Sequence, residues 1–402
     1  MATIPKRLSA LTDKRADPLE VIFISAWSVF LMSLLLTQTI WYAMDDGNIS
    51  QILQLARYAA YLICAVVIIY KRKNYSRIVL ALIIFGLLAL SMLASTNKTQ
   101  FLYAFLLIAA YDTDSIKIVK TSMFWQMMVL FFTVLFSQIG LIDDYIWDPG
   151  TRERHLLGFD WTATAPMIMF YWTLQYVYIR RRKMTVWEFI AIEAVHVLLF
   201  IWTDSRYIFA LATVFILAAF IGKFYNGRPV KTKGIKYIFC AVPWLLAALS
   251  IALHVFYDPD NAFMNRLNTL LTKRLAHGLD AVSQYGFSLF GKKITWVGFS
   301  VKPTEEVYNY VDCGYLNVAL EYGIIFLILV LVIYTVLIIK AVKAGDNWLL
   351  LAALFVLVMA ITEPRIMNFS FNPFPLLAFA KIRSAGKACA AHRLRIYETK
   401  VA

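Results

Sequence analysis

Apolar runs of helix length recur from one end of the 402-residue chain to the other, and nothing constrains its fold more. A bilayer core takes about 20 apolar residues per spanning helix. Spans are expected near 21–43, 53–70, 78–95, 99–111, 121–142, 163–179, 187–203, 206–222, 237–256, 315–339, 348–362 and 369–380, the fourth and the last being short. The chain therefore reads as an all-α polytopic membrane protein with about twelve transmembrane helices. With 61% hydrophobic and only 16% charged residues, it is too apolar for a soluble fold, where about a quarter of residues are charged.

The formal charge of +14 could suggest nucleic acid. Its distribution points instead to membrane orientation, because the basic residues sit in short clusters between the apolar runs. Threaded with the N-terminus inside, the chain places twenty-seven Lys and Arg in cytoplasmic segments and eleven outside, with Arg57 within the second span. Both termini are thus expected in the cytoplasm, with 381–402 a basic tail. The first run, Val21 to Ala43, is too long for a signal-peptide core and reads as a retained helix. Cys64, Cys240, Cys313 and Cys389 show no metal-site spacing and read as small hydrophobes or free thiols.

Domain organisation follows. Residues 1–256 hold the first nine spans, 257–314 a large extracytoplasmic loop, and 315–380 the C-terminal spans. A shorter outer loop runs from Asp143 to Thr162. Loops this long in a compact protein are usually functional or disordered. The large one carries a helical pattern, NRLNTLLTKRLAHGLDAVSQYG. Read as one helix, it puts Leu267, Leu271, Leu275, Leu279 and Val282 on one face and Arg266, Lys273, His277, Asp280 and Gln284 on the other. Such a helix would lie on the membrane or cap a cavity.

Outer-side cations run against the positive-inside trend and need a reason. Arg152, Arg154 and His155 lie in DPGTRERHLLGF, Arg206 in WTDSRYIF, Arg266, Lys273 and Arg274 along the loop helix, and Arg365 in TEPRIMNF. Converging on one cavity, these arginines would bind a diphosphate, because a guanidinium fork matches phosphate oxygens. Singly, Arg206 or Arg365 can simply end a helix at the interface, and Arg266 and Lys273 can be a solvated face. Trp147, Trp161, Trp296, Tyr308 and Tyr310 suit sugar stacking or an interfacial aromatic belt. Asp258-Pro-Asp260 looks like a turn rather than a metal motif. Asp312 closes the large loop just before the tenth span, over the mouth of any cavity. As a general base it needs burial to raise its pKa, or tight positioning of the acceptor.

The order of these blocks resembles the Wzy-type polysaccharide polymerases and their O-antigen ligase relatives, in the form found in Gram-positive capsule and exopolysaccharide clusters. RHLLGF, an apolar helix ending in DSR, NRLNTLLTKRL, YGFSLFGKKI and DCGYLNVALEYGIIF carry the likeness, over roughly residues 150 to 330. The ligases place His where Asp312 stands, with Tyr315-Leu316 kept. The resemblance implies a GT-C-like glycosyltransferase of the plasma membrane that polymerises undecaprenyl-diphosphate-linked repeat units by inversion. It further implies no metal or other cofactor. Arg206 and Arg274 would hold the diphosphate, with Arg266 among the loop arginines, and Asp312 would orient or deprotonate the acceptor. Arg152, Arg154, His155, Lys273, Tyr315 and Arg365 would bind substrate. Expected partners are the lipid-linked donor and acceptor, the bilayer, and a flippase and chain-length regulator of the same pathway, with no nucleic acid. Ligation to another acceptor and polysaccharide transport remain the alternatives.

Overall fold

The computed structural model describes residues 17–44, 47–71, 75–148, 150, 152–224, 233–298 and 308–382. Most of the basic tail (383–402), Asp45, Asp46, Lys302, Glu305, Glu306 and Cys389 lie outside the described residues.

The chain runs through α1 (Pro18–Leu36), α2 (Ile40–Ala43), α3 (Asn48–Lys71), α4 (Tyr75–Ser95), α5 (Thr99–Ala109) and α6 (Ser115–Gln138). A two-residue ladder, β1 (Ile146–Trp147) with antiparallel β2 (Arg154–His155), follows. Then come α7 (Thr164–Arg180), α8 (Val186–Thr203), α9 (Arg206–Phe224), α10 (Lys233–Val255), α11 (Ala262–Leu270) and α12 (Arg274–Tyr285). The last are α13 (Gly314–Glu321), α14 (Ile324–Ala344), α15 (Asn347–Met359) and α16 (Phe374–Leu377). Eight of the described helices are long and apolar enough to cross a membrane: α1, α3, α4, α6, α8, α9, α10 and α14. The protein is a multi-pass, mostly helical membrane protein. Its core pillar is α7, buried along nearly its whole length and packed on α6, α8, α9 and α15.

Local chemistry sets the helix ends. Asp17 caps α1 by accepting from Leu19 N, with Pro18 in the first turn, where its missing N–H costs nothing. Thr185 and Glu188 form a reciprocal capping box on α8. The first expected span stops early, at Leu36. Just beyond it, Thr37 and Thr39 turn their hydroxyls onto the carbonyls of Leu34 and Leu36, each at 2.7 Å.

The described helices depart from the twelve expected spans at five places, one of them α7, whose 17 residues keep it out of the eight. The fourth, α5, is only 11 residues long, and α15 only 13. The tenth is broken at Gly323 into α13 and α14. The twelfth is not a spanning helix: residues 366–380 are largely buried and irregular apart from the four-residue α16. Non-helical backbone is tolerated at membrane depth only where protein satisfies its polar groups. Here side chains do so. Gln126 Nε2 donates to the carbonyls of Ser370 (2.9 Å) and Phe371 (2.7 Å), and Asn372 Nδ2 and Tyr334 OH donate to Ile366 O at 2.6 and 2.9 Å. Hydropathy registered the apolar content of this stretch but not its conformation.

The large loop is pinned where the tenth span breaks. Ser288 O and Leu289 O accept from Ile324 N and Ile325 N at 3.0 and 3.1 Å, so loop carbonyls satisfy the first free N–H groups of α14. The two backbones cross so closely that a Cβ on Gly323, at φ +92°, would sit 2.4 Å from Gly291 N and 2.5 Å from Leu289 O. Gly323→Ala is expected to cost about 2–5 kcal/mol, from the left-handed backbone and the clash together. A detergent melting temperature equal to wild type would refute that.

Four of the basic residues that the sequence assigns to the inside gather at one end of the bundle. Lys71 Nζ donates to Ala109 O, Tyr111 O and Thr113 Oγ1 at 3.1, 2.9 and 3.0 Å. Lys117 pairs with Glu20 at 2.5 Å, Arg181 pairs with Asp346, and Lys340 Nζ donates to Ala380 O at 2.9 Å. Loops of the opposite parity meet at the other end, around a cavity.

Candidate functional site

That cavity has a volume of about 1500 Å³ and is walled by the β1–α7 stretch, the α8–α9 turn, the α11–α12 joint, the end of the large loop and the segment after α15. Two charged clusters dominate its surface.

In the first, Arg274 opens α12. Its Nε lies 2.9 Å from Asp312 Oδ2, an ion-pair contact, and its Nη2 lies 3.6 Å from Glu363 Oε1. Nη1 donates to Thr362 O at 2.6 Å. Arg365 Nη1 reaches the other oxygen of Glu363 at 2.8 Å, and its guanidinium sits 4.8 Å from the centre of the Phe371 ring. The result is an alternating row: Asp312, Arg274, Glu363, Arg365.

Two glycines make that row possible. A Cβ on Gly314, two residues after Asp312, would lie 2.8 Å from Glu363 O, and Gly314 N donates to Ala360 O at 2.8 Å. This contact brings together carboxylates 51 positions apart in the sequence. Gly278, one turn after Arg274, lets α12 lie against His254 of α10, whose Cδ2 would be 2.1 Å from an added Cβ. Burial pushes the carboxyls of Asp312 and Glu363 above their usual range, while Arg274 and Arg365 pull against it. Asp160, also on the cavity wall, is pushed up by burial to about 6, although the Thr164 hydroxyl donates to it at 2.8 Å.

The second cluster gathers on the α8–α9 turn. Asp204 ends α8 in the left-handed conformation (φ 44°). Its carboxylate takes Arg206 Nε and Nη2 at 3.0 and 3.3 Å and also pairs with Arg152. Burial pushes Asp204 up, but the two guanidinium groups outweigh it and leave the carboxyl below its usual range. Arg154 donates to Thr203 O at 2.7 Å and lies over Trp147 and Trp161, 5.5 and 5.9 Å from their ring centres. No carboxylate among the described residues lies within ion-pair distance of Arg154.

Seven of the ten residues singled out from sequence line the cavity: Asp312, Arg206, Arg274, Arg152, Arg154, Lys273 and Arg365. Three do not. His155 Nδ1 is 2.6 Å from Asp144 Oδ2, away from the cavity wall. Arg266 is exposed on α11, because the loop helix breaks at Thr272 and Lys273 (φ 53° and 64°) and its halves share no common face. Tyr315 is fully buried and donates to Leu357 O at 2.7 Å, which makes it an anchor of α13. Of the aromatic candidates, Trp296 turns its indole N–H to Glu321 Oε2 at 2.8 Å, and the other four face the cavity. Asp258 accepts from Asp260 N at 2.9 Å, a turn.

Sequence reasoning gave no role to Glu363, Asp160, Asp204 or His277, all on the wall. Glu363 was the most accessible of these, since a carboxylate two positions before an outer-side arginine at a span end is the same signal that drew attention to Arg365. No protein-family model, curated protein or solved structure matches this chain.

Proposed function

We propose that this protein is a glycosyltransferase that polymerises lipid-diphosphate-linked oligosaccharide repeat units into a surface polysaccharide at the extracytoplasmic face of the plasma membrane. The observation that carries the reading is the meeting, in one cavity, of five arginines with the half-buried Asp312 and the buried Glu363, both bridged by cations, from separate loops. Among the described residues, the wall holds six cations, Arg152, Arg154, Arg206, Lys273, Arg274 and Arg365, against Asp160, Asp204, Asp312 and Glu363. That excess of two positive charges complements the two negative charges of a diphosphate diester.

The excess is uneven. The Asp312–Glu363 row is balanced, whereas Arg152 and Arg206 share a single Asp204 and Arg154 has no carboxylate within ion-pair distance among the described residues. The diphosphate therefore sits toward Arg152, Arg154 and Arg206, with Arg274 between it and the carboxylates. Asp312 accepts the proton of the acceptor hydroxyl as its oxygen bonds to the anomeric carbon. The bond from that carbon to the phosphate oxygen breaks, and the charge it leaves is stabilised by guanidinium groups already in place. A single displacement inverts the anomeric centre. Ligation to a different acceptor would use the same cavity.

Wild-type protein in detergent, given a polyprenyl-diphosphate oligosaccharide, is expected to release polyprenyl diphosphate and a ladder of whole-repeat multiples. No release sinks the proposal, and release with a single transferred unit favours ligation. Arg206, 72% exposed at the rim, should matter less than the inner arginines. Arg206→Ala is expected to raise KM about five- to tenfold, and an unchanged KM would remove Arg206 from the donor site.

A further inference from the structure

The exposed apolar residues of α10 recur in the sequence beyond the helix end, on α11. Ile238, Leu245, Leu249 and Phe256 form one exposed stripe at spacings of seven, four and seven residues, with Phe256 72% exposed just past the helix end. Phe263 (71% exposed) and Leu270 (80%) on α11 follow at intervals of seven. Leu267 lies between those two on the same helical face, and the exposed Arg266 flanks it. A short helix with large bare apolar side chains and a cation at the edge of that face suits the headgroup–acyl boundary of a bilayer.

The other edge of α11 belongs to the cavity: Thr269, Leu270 and Leu271 line it, and Ile208 at the start of α9 lines it too. The helix is lightly held. Its one buried side chain, Asn268, donates to Tyr257 OH at 3.0 Å and accepts from Ala276 N at 3.2 Å.

We propose that α11 is a membrane-embedded lip of the cavity: Phe263, Leu267 and Leu270 extend the lipid-facing stripe of α10 into the outer leaflet, and the helix guides the hydrocarbon tail of a lipid-linked diphosphate between Leu270 and Ile208. The second half of this inference rests on the glycosyl-transfer reading; the first half does not. A tail leaving the cavity at that edge stays in hydrocarbon while its diphosphate remains among the arginines, so the lipid need not leave the membrane.

Two measurements test the two halves separately. A nitroxide attached at Phe263→Cys, in a Cys240→Ser, Cys389→Ser background reconstituted in phosphatidylglycerol vesicles, should collide with oxygen more than with a water-soluble nickel complex. A label at Asn265→Cys, on the opposite side of α11, should show the reverse. A water-accessible label at 263 overturns the lip. For the tail, Phe263→Asp is expected to lower turnover of a C55-polyprenyl donor at least tenfold and to leave a C10 donor within twofold. Equal loss on both donors overturns the guiding role. If wild type turns over neither donor, the transfer reading falls and takes the guiding role with it, while the nitroxide result still decides whether α11 is immersed.

Discussion

Replacing Arg274 by alanine is expected to lower glycosyl transfer about 100- to 1,000-fold, the usual loss when a preorganised electrostatic stabiliser is removed. Arg274 has a second role that sharpens the test. It is the cation between Asp312 and Glu363, and removing one partner from a fully buried ion pair typically costs about 3–5 kcal/mol, an upper bound for this partly buried one. The alanine variant should therefore be less stable as well as inactive. Adding Asp312→Asn removes one of the stranded carboxylates. The double variant is expected to regain thermal stability and to remain inactive, which separates chemistry from folding. Arg274→Lys keeps the charge but cannot reach Asp312, Glu363 and Thr362 O together, so it should recover stability better than turnover. Wild-type transfer by Arg274→Ala would remove the arginine site and leave only the membrane architecture.

The second large effect is expected at Asp312. Asp312→Asn keeps the size and removes the base, with an expected loss of about 100- to 10,000-fold in turnover. The pH profile carries the same information in graded form. A base must be ionised, and burial holds this carboxyl above the ordinary aspartate range. Transfer should thus fall as pH drops through that raised value, at a higher pH than an unperturbed aspartate would give. Asp312 and Glu363 share Arg274, so the acid limb belongs to the pair rather than to either residue. Stability runs the opposite way. A carboxyl with a folded pKa above its unfolded value contributes stability that is present below the unfolded value and lost as pH rises through the folded one. With respect to these two groups, acidification should therefore silence the protein without unfolding it. An acid limb at the position of an ordinary aspartate, or Asn at 312 with wild-type turnover, would exclude the base role.

The boundary between what was legible and what was not can be drawn residue by residue. Lys71, Lys117, Arg181 and Lys340 were assigned to one end of the bundle by charge alone, and they gather there. Arg152, Arg206, Arg274 and Arg365 were suspect because a cation on the sparsely charged side of a membrane protein needs a partner, and all four line one cavity. Arg266 satisfied the same criterion and faces away. The difference lies in two left-handed residues, Thr272 and Lys273, neither of them glycine, so no turn signal announced the break.

By itself, then, the sequence determined the all-helical membrane class and the set of loops that meet at the cavity end, because bilayer length and charge asymmetry act along the chain and leave a one-dimensional trace. Tertiary structure alone decided that residues 366–380 would be irregular backbone held by Gln126, Asn372 and Tyr334. It alone also decided that Glu363 would bridge Arg274 and Arg365 and that α11 would turn an apolar face outward. The first two depend on groups far apart in sequence approaching within hydrogen-bond or ion-pair distance, and the approach of Asp312 to Glu363 is made at Gly314. Which residues meet in this way is set by the packing of whole helices, and local composition carries no record of it.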